Sequence, residues 1–177
     1  MKKLTGAIAL LCLALLPSSA HAQGTSKDDG RLLEQTPFAL PAFDQLPDRF
    51  KRAYPRDVIE RMHDSPDLEV LKIKYLSDGL KVSGFIYKPK DVAGKKFPVV
   101  IWNRGGVGED TVISVENFLD LYEMHRYAAE GFVVLASQYR GYDGGEGKDE
   151  VGGADLDDVL NLIPLARALG YVGHLLP

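Results

Sequence analysis

Acyl transfer needs a nucleophile held clear of its surroundings with a base beside it, and the side chains able to supply one here are few. The only cysteine is Cys12, close to the N-terminus. A serine nucleophile is commonly carried on a strained strand-to-helix turn of the form Gly-x-Ser-x-Gly. No such turn occurs in the 177 residues. Ser83 and Ser137 lie in the runs Val82-Ser83-Gly84 and Ala136-Ser137-Gln138, and Ser114 stands before an apolar-periodic stretch. Ser114 therefore reads as a helix cap and Ser137 as a strand residue. His63, His125 and His174 are scattered, which speaks against a metal cluster, and His125 beside Arg126 reads as a helix-surface residue.

Glycine-rich segments are the other source of chemistry, because backbone amides free of side chains can approach a ligand closely. Asn103 to Gly108 follows an apolar run and precedes a helical pattern. As a dinucleotide fingerprint it is incomplete: Gly106-x-Gly108 has Thr111 at the third glycine position, and no acidic residue ends the next strand. Gly147-Lys148 fails as a P-loop, with Tyr142 where glycine is required and Asp149 where serine or threonine is required. Asp143 to Glu150 lacks calcium-loop spacing and reads as solvated surface. No cofactor is implied.

The elements that position these residues follow from periodicity. Residues 23–66 are polar and punctuated by Pro37, Pro41, Pro47, Pro55 and Pro66, a mobile lead-in in which Arg56 to His63 forms a short helix behind Pro55. From Leu71 the period becomes two, and Ser77-Asp78-Gly79 followed by Leu80 to Tyr87 predicts a β-hairpin. Phe97 to Trp102 and Phe132 to Ser137 are continuous apolar runs of the kind found in strands covered on both faces. Between them a helix is expected from Ser114 to Gly131, and after the second run Asp155 opens another, with Pro164 either kinking it or sitting where a missing N–H is tolerated. The predicted class is α/β: an antiparallel hairpin followed by parallel β-α-β-α.

The first 22 residues stand apart. Lys2-Lys3, the apolar run Leu4 to Leu16 and Ala20-His21-Ala22 make a secretory signal peptide, with cleavage expected after Ala22. Leu11 before Cys12 does not suit a lipoprotein signal, so the mature chain is expected without cysteine, without a membrane anchor, and in a periplasm or outside the cell. A net charge of −4 argues against nucleic acid as a partner.

Four segments in order carry a family resemblance: Val82-Ser83-Gly84-Phe85-Ile86-Tyr87-Lys88-Pro89, Phe97 to Gly106, Ala136-Ser137-Gln138-Tyr139-Arg140-Gly141 and Asp155-Leu156-Asp157-Asp158. Over roughly residues 67 to 172 the chain resembles the prolyl oligopeptidase (S9) serine peptidases, and residues 67–177 correspond to the N-terminal half of an α/β-hydrolase domain. The resemblance implies an incomplete α/β-hydrolase sheet and cleavage of peptide or ester bonds in intact relatives. It implies that Asn103, Arg104, Gly105 and Gly106 form the oxyanion loop, with Asn103 where the family usually has tyrosine or histidine. Arg140 takes the place of a structural arginine whose nearest acidic candidates are Asp155 and Asp158. None of the catalytic triad is present, so this chain reads as truncated before the nucleophile and inactive. Its alternative is a non-catalytic secreted paralogue that binds a peptide or protein partner. The unpaired edge of the Phe97 to Trp102 strand is expected to favour self-association.

The signal peptide gives a direct expectation. Mass spectrometry of the exported product finds an N-terminus at Gln23, and an uncleaved chain in the membrane fraction would instead mark residues 1–22 as an anchor.

Overall fold

The computed structural model describes residues 27–173; the signal-peptide reading of residues 1–22 and His174 lie outside them. The hairpin forms the spine. β2 (Leu68–Ser77) and β3 (Leu80–Pro89) pair antiparallel without interruption from Leu68↔Pro89 to Ser77↔Leu80. The two-residue turn is Asp78 at φ 52° and Gly79 at φ 78°, the pair of positive values whose twist matches the flanking strands. β1 (Leu32–Pro37) adds antiparallel to the outer side of β2.

On the other side the order departs from the chain order. β4 (Val99–Trp102) is followed by α3 (Phe118–Ala129) and then by β5 (Val133–Ser137), which inserts between β3 and β4 to give β1-β2-β3-β5-β4. β5 runs parallel to β4, as expected for strands joined by a helical crossover, and antiparallel to β3. All five β5 residues are buried because both faces and both edges are covered. The close approach of β5 to β3 needs Gly84, where a Cβ would stand 2.4 Å from the carbonyl oxygen of Ala136.

Two apolar layers sandwich the sheet. Phe85, Tyr87, Val134 and Ala136 face α2 (Arg56–His63) and α3 through Ile59, Met62, Phe118, Leu121 and Met124. Ile73, Tyr75, Val82, Ile86, Val133 and Leu135 face α5 (Leu162–Ala168) through Leu162, Leu165 and Ala166. The lead-in contributes more than the sequence suggested. Besides β1 it holds α1 (Asp48–Ala53), and Phe50 and Tyr54 close an aromatic cluster with Phe118 and Tyr122, the Tyr54 and Tyr122 ring centroids 4.4 Å apart.

Three expectations need correction. α3 starts at Phe118, not after Ser114; Ser114 Oγ accepts the Asn117 N–H at 3.2 Å, while the residues between β4 and the helix hold a single 3-10 turn, Glu109–Thr111. The second helix is two, α4 (Asp155–Leu160) and α5, parted at Asn161, whose amide nitrogen donates to Ser77 Oγ at 3.0 Å. Pro164 then lies in the first turn of α5, where no intrahelical N–H is missed. His125 is not a surface residue: half-buried, it meets the Tyr87 hydroxyl through Nδ1 at 2.6 Å.

Burial lowers the pKa of His125 below its ordinary value. The folded state thus prefers the neutral ring, so its contribution is complete above the unfolded pKa near 6.5 and is lost as pH falls through the lower folded value. Thermal melts from pH 8 to pH 5 are expected to show falling stability below about pH 6.5, with a weaker fall in His125→Gln.

Candidate functional site

The sequence-derived candidates meet at the carboxyl ends of β4 and β5. β4 ends at Trp102 and delivers Asn103, which is exposed, into the loop. Arg104 turns the other way and is 3% exposed. Its Nε and Nη2 donate to the Gln138 carbonyl oxygen (3.3 and 2.8 Å), and Nη1 donates to Thr111 Oγ1 (2.6 Å), the Thr111 carbonyl (3.3 Å) and the Gly106 carbonyl (3.4 Å). The guanidinium sits 4.8 Å from the Tyr139 ring centroid and 5.0 Å from that of Tyr142. Carbonyls and aromatic faces thus compensate a buried cation that ion-pairs with no carboxylate among the described residues, and the desolvation lowers its pKa from the usual arginine value.

This divides the four loop residues. Arg104 was a candidate for the oxyanion loop; its guanidinium is buried and all three of its nitrogens donate inward, two to the Gln138 carbonyl after β5 and one to Thr111 and Gly106, so it ties the loop to the end of β5. Gly106, at φ 82°, is needed for shape as well, since a Cβ there would meet Thr111 Cγ2 at 2.4 Å. Gly105 has open space around it, and of the four loop residues Asn103, Gly105 and Gly106 are exposed. Gln138 completes the frame from β5: its side chain accepts the Ile113 N–H (2.9 Å) and donates to the Ile113 carbonyl (2.8 Å), as a strand neighbour would.

Behind the loop lies a second polar cluster. The Arg140 side chain is held by Asp158 through Nε (3.2 and 3.1 Å) and Nη2 (2.8 Å), and Nη2 also donates to Asp78 at 2.7 Å. The backbone N–H of Arg140 donates to Asp158 as well, at 2.7 Å. Asp158 is fully buried and Arg140 is 6% exposed. Asp155, the other acidic candidate, is not a partner of Arg140. Its carboxylate accepts the N–H groups of Gly152 (3.0 Å) and Gly153 (2.8 Å), which lower its pKa against the opposing effect of burial.

Ser83 and Ser137 are bound into the frame of the sheet. Ser137 Oγ accepts the Tyr139 N–H (2.9 Å) and lies 2.8 Å from the Tyr75 hydroxyl, which donates to the Asp158 carbonyl at 2.6 Å. Ser83 donates to the Asp143 carbonyl at 2.9 Å. Between the glycine loop and α4 a hollow of about 200 Å³ is lined by Val107, Tyr139, Val151 and Leu156. Among the described residues no group of three or more His, Cys, Asp or Glu could hold a metal ion. Sequence reasoning missed Asp78, Thr111, Gln138 and the two stacked tyrosines, whose roles come from neighbours distant in the chain.

A sheet with antiparallel leading strands, a β4-α3-β5 crossover and a glycine loop at the carboxyl end of β4 is an α/β-hydrolase sheet. No family model matches the chain. It is 31% identical over 112 residues to the uncharacterized peptidase YtmA of Bacillus subtilis, a match that takes in 62% of this chain and 40% of that protein. The chain thus spans about two fifths of the length of the curated relative it matches. Among solved structures, a mutant of the rice cell wall degrading esterase LipA from Xanthomonas oryzae superposes with a TM-score of 0.51 and 18% identity, covering 78% of this chain and 37% of the esterase. A ligand-bound form of the same esterase gives a TM-score of 0.48 with 15% identity, over 78% of this chain and 37% of that one.

Removing one partner of a buried ion pair leaves the other charge uncompensated. Asp158→Asn is expected to cost about 3–5 kcal/mol in urea unfolding. Asp78→Asn, at the less buried end, should cost less, and the reverse ranking would show that Asp78 is the principal partner of Arg140.

Proposed function

We propose that this chain supplies the N-terminal half of the domain of an exported serine hydrolase of the prolyl oligopeptidase type, acting on peptide or ester bonds through an acyl-enzyme. Asn103 and the Gly105 amide would provide donors for the oxyanion, and the nucleophile, acid and base would come from residues this sequence does not contain. Preorganised donors aimed at developing charge are the kind of contribution such a loop can make without itself reacting. The observation that carries the reading is the placement of Asn103 and Gly105 beyond the carboxyl end of β4, the end of the strands at which ligands of open α/β sheets bind. The identity to a protein named as a peptidase supports the hydrolytic class. The signal-peptide pattern of residues 1–22 supports a periplasmic or secreted location.

On this reading the chain alone does not hydrolyse, because oxyanion donors without a nucleophile stabilise nothing. Purified residues 23–177 are expected not to label with a fluorophosphonate probe. A chimera carrying this chain's matched segment in place of the corresponding stretch of the Bacillus subtilis relative is expected to label, and Asn103→Ala in that chimera to slow labelling. A chimera that folds, by circular dichroism and gel filtration, yet stays unlabelled while the relative itself labels would overturn the proposal. Labelling of residues 23–177 that disappears with one serine substitution would reveal a nucleophile of its own.

A further inference from the structure

The hollow of about 200 Å³ between the glycine loop and α4 leaves apolar side chains open to solvent. Val107 on one wall and Val151 and Leu156 on the other are 54%, 67% and 54% exposed, so three branched side chains border one concavity. An apolar cavity of about 150 Å³ already admits a benzene ring. The space therefore suits one aliphatic or aromatic side chain.

The polar groups of the walls bond to one another. Asp149 accepts the Val151 N–H through Oδ1 (2.8 Å) and the Tyr142 hydroxyl through Oδ2 (2.9 Å). The Tyr142 oxygen in turn accepts the Gly108 N–H at 3.0 Å, which ties the glycine loop to the opposite wall. Asp155 accepts the N–H groups of Gly152 and Gly153. Hydrogen bonds thus hold the two walls at a set separation before any occupant arrives.

Backbone strain marks the same place. Tyr139 (φ 64°) and Val151 (φ 58°) both line the hollow, and both hold a left-handed conformation without being glycine. For a β-branched residue this conformation is costly, and such strain gathers where ligands bind. Glycine would serve the turn at Val151 without strain, and the exposed valine side chain adds nothing to the core. Its use lies in the hollow.

Charge limits what can enter. Asp149 and Asp155 belong to the lining, exposed Glu150 stands between them in the chain, and exposed Glu109 and Asp110 follow Gly108 on the other wall. An anionic group meets like charges there, whereas a neutral one does not. The hollow is also continuous with the candidate loop, since Gly106 belongs to both.

We propose that this hollow is a subsite for an uncharged apolar side chain of a peptide lying along Asn103, Gly105 and Gly106, and that its acidic rim disfavours a peptide whose free C-terminal carboxylate falls there. That the peptide is a substrate rests on the hydrolase reading; that the hollow binds it does not. With both in place, the enzyme takes internal apolar residues in preference to C-terminal ones.

NMR titration of residues 23–177 tests it, with the Val107, Val151 and Leu156 methyl signals as reporters and the blocked peptide acetyl-Gly-Leu-Gly-amide as probe. Saturable shifts are expected at these three residues, and acetyl-Gly-Ser-Gly-amide is expected to bind about tenfold or more weakly. Acetyl-Gly-Leu with a free carboxylate should bind about threefold or more weakly at low salt, the difference closing as salt rises. Val151→Gly, which suits the backbone, and Leu156→Ser, at an exposed position, should each weaken the leucine peptide about threefold or more while the rest of the spectrum is kept. Absent or unsaturable shifts at the three residues would overturn the proposal, as would equal binding of the serine peptide. Equal binding of the free acid at low salt would remove the role of the rim. Shifts that follow protein concentration alone would assign the hollow to a second copy. Binding by this chain beside a folded but unlabelled chimera would keep the subsite and remove the hydrolase reading, and a labelled chimera without binding here would do the reverse.

Discussion

The structure turns on the Arg140 guanidinium held between Asp158 and Asp78. Asp78 is the first residue of the hairpin turn, Arg140 follows the end of β5, and Asp158 lies in α4, so one cation ties together three elements from distant parts of the chain. A buried pair of this kind gives little net stability over an apolar replacement, but a buried charge tolerates only the arrangement that compensates it. β5 therefore stops at Ser137, opposite Gly84, and the chain beyond it carries Arg140 on to Asp78 in the β2–β3 turn. The Tyr75 hydroxyl reinforces that position by bonding the Asp158 carbonyl from the middle of the sheet. Everything beyond β5, including the loop that stacks Tyr139 on Arg104, takes its place from this anchor.

Arg104 does for the candidate site what Arg140 does for the sheet, by a different means. Its charge is met by carbonyl oxygens and two ring faces, so the loop is folded around the cation. A loop built this way is pre-shaped before any ligand arrives, which is what electrostatic stabilisation of a transition state requires. Asn103 and Gly105 inherit that rigidity while remaining exposed.

How much of this could be read from the sequence depends on the distance between the groups involved. The hairpin was legible because its signal is local: period two on either side of Asp-Gly. α2 was legible to the residue, because Pro55 fixes its start and the apolar face is regular. β1 was not, since Leu-Leu-Glu-Gln-Thr-Pro has no clean alternation and pairs through an irregular register. Ser114 resembled a cap but does not start a helix, because the frame of Arg104 and Gln138 holds the chain off helical geometry until Phe118. Within the site, Arg140 had an acidic candidate nearby in Asp158, whereas Asp78 lies 62 residues away in the chain and no local pattern signals it. Arg104 was assigned to the loop by position, but its partners are carbonyls, which every residue possesses and no sequence pattern marks.

The insertion of β5 between β3 and β4 also sets the order in which the sheet can assemble during synthesis. β2 and β3 meet across a two-residue turn and can pair as soon as both have emerged, with β1 already made to join them. β4 has no such opportunity, because its one full-length neighbour among the described strands is β5, which follows only after α3. For that interval a continuous apolar run is outside the ribosome with nothing to pair with, the state in which nascent chains are most exposed to association and to chaperone capture. When β5 arrives it settles against Gly84 on one side and recruits β4 on the other, so the strand that bears the candidate loop is the last of the five to gain its neighbour.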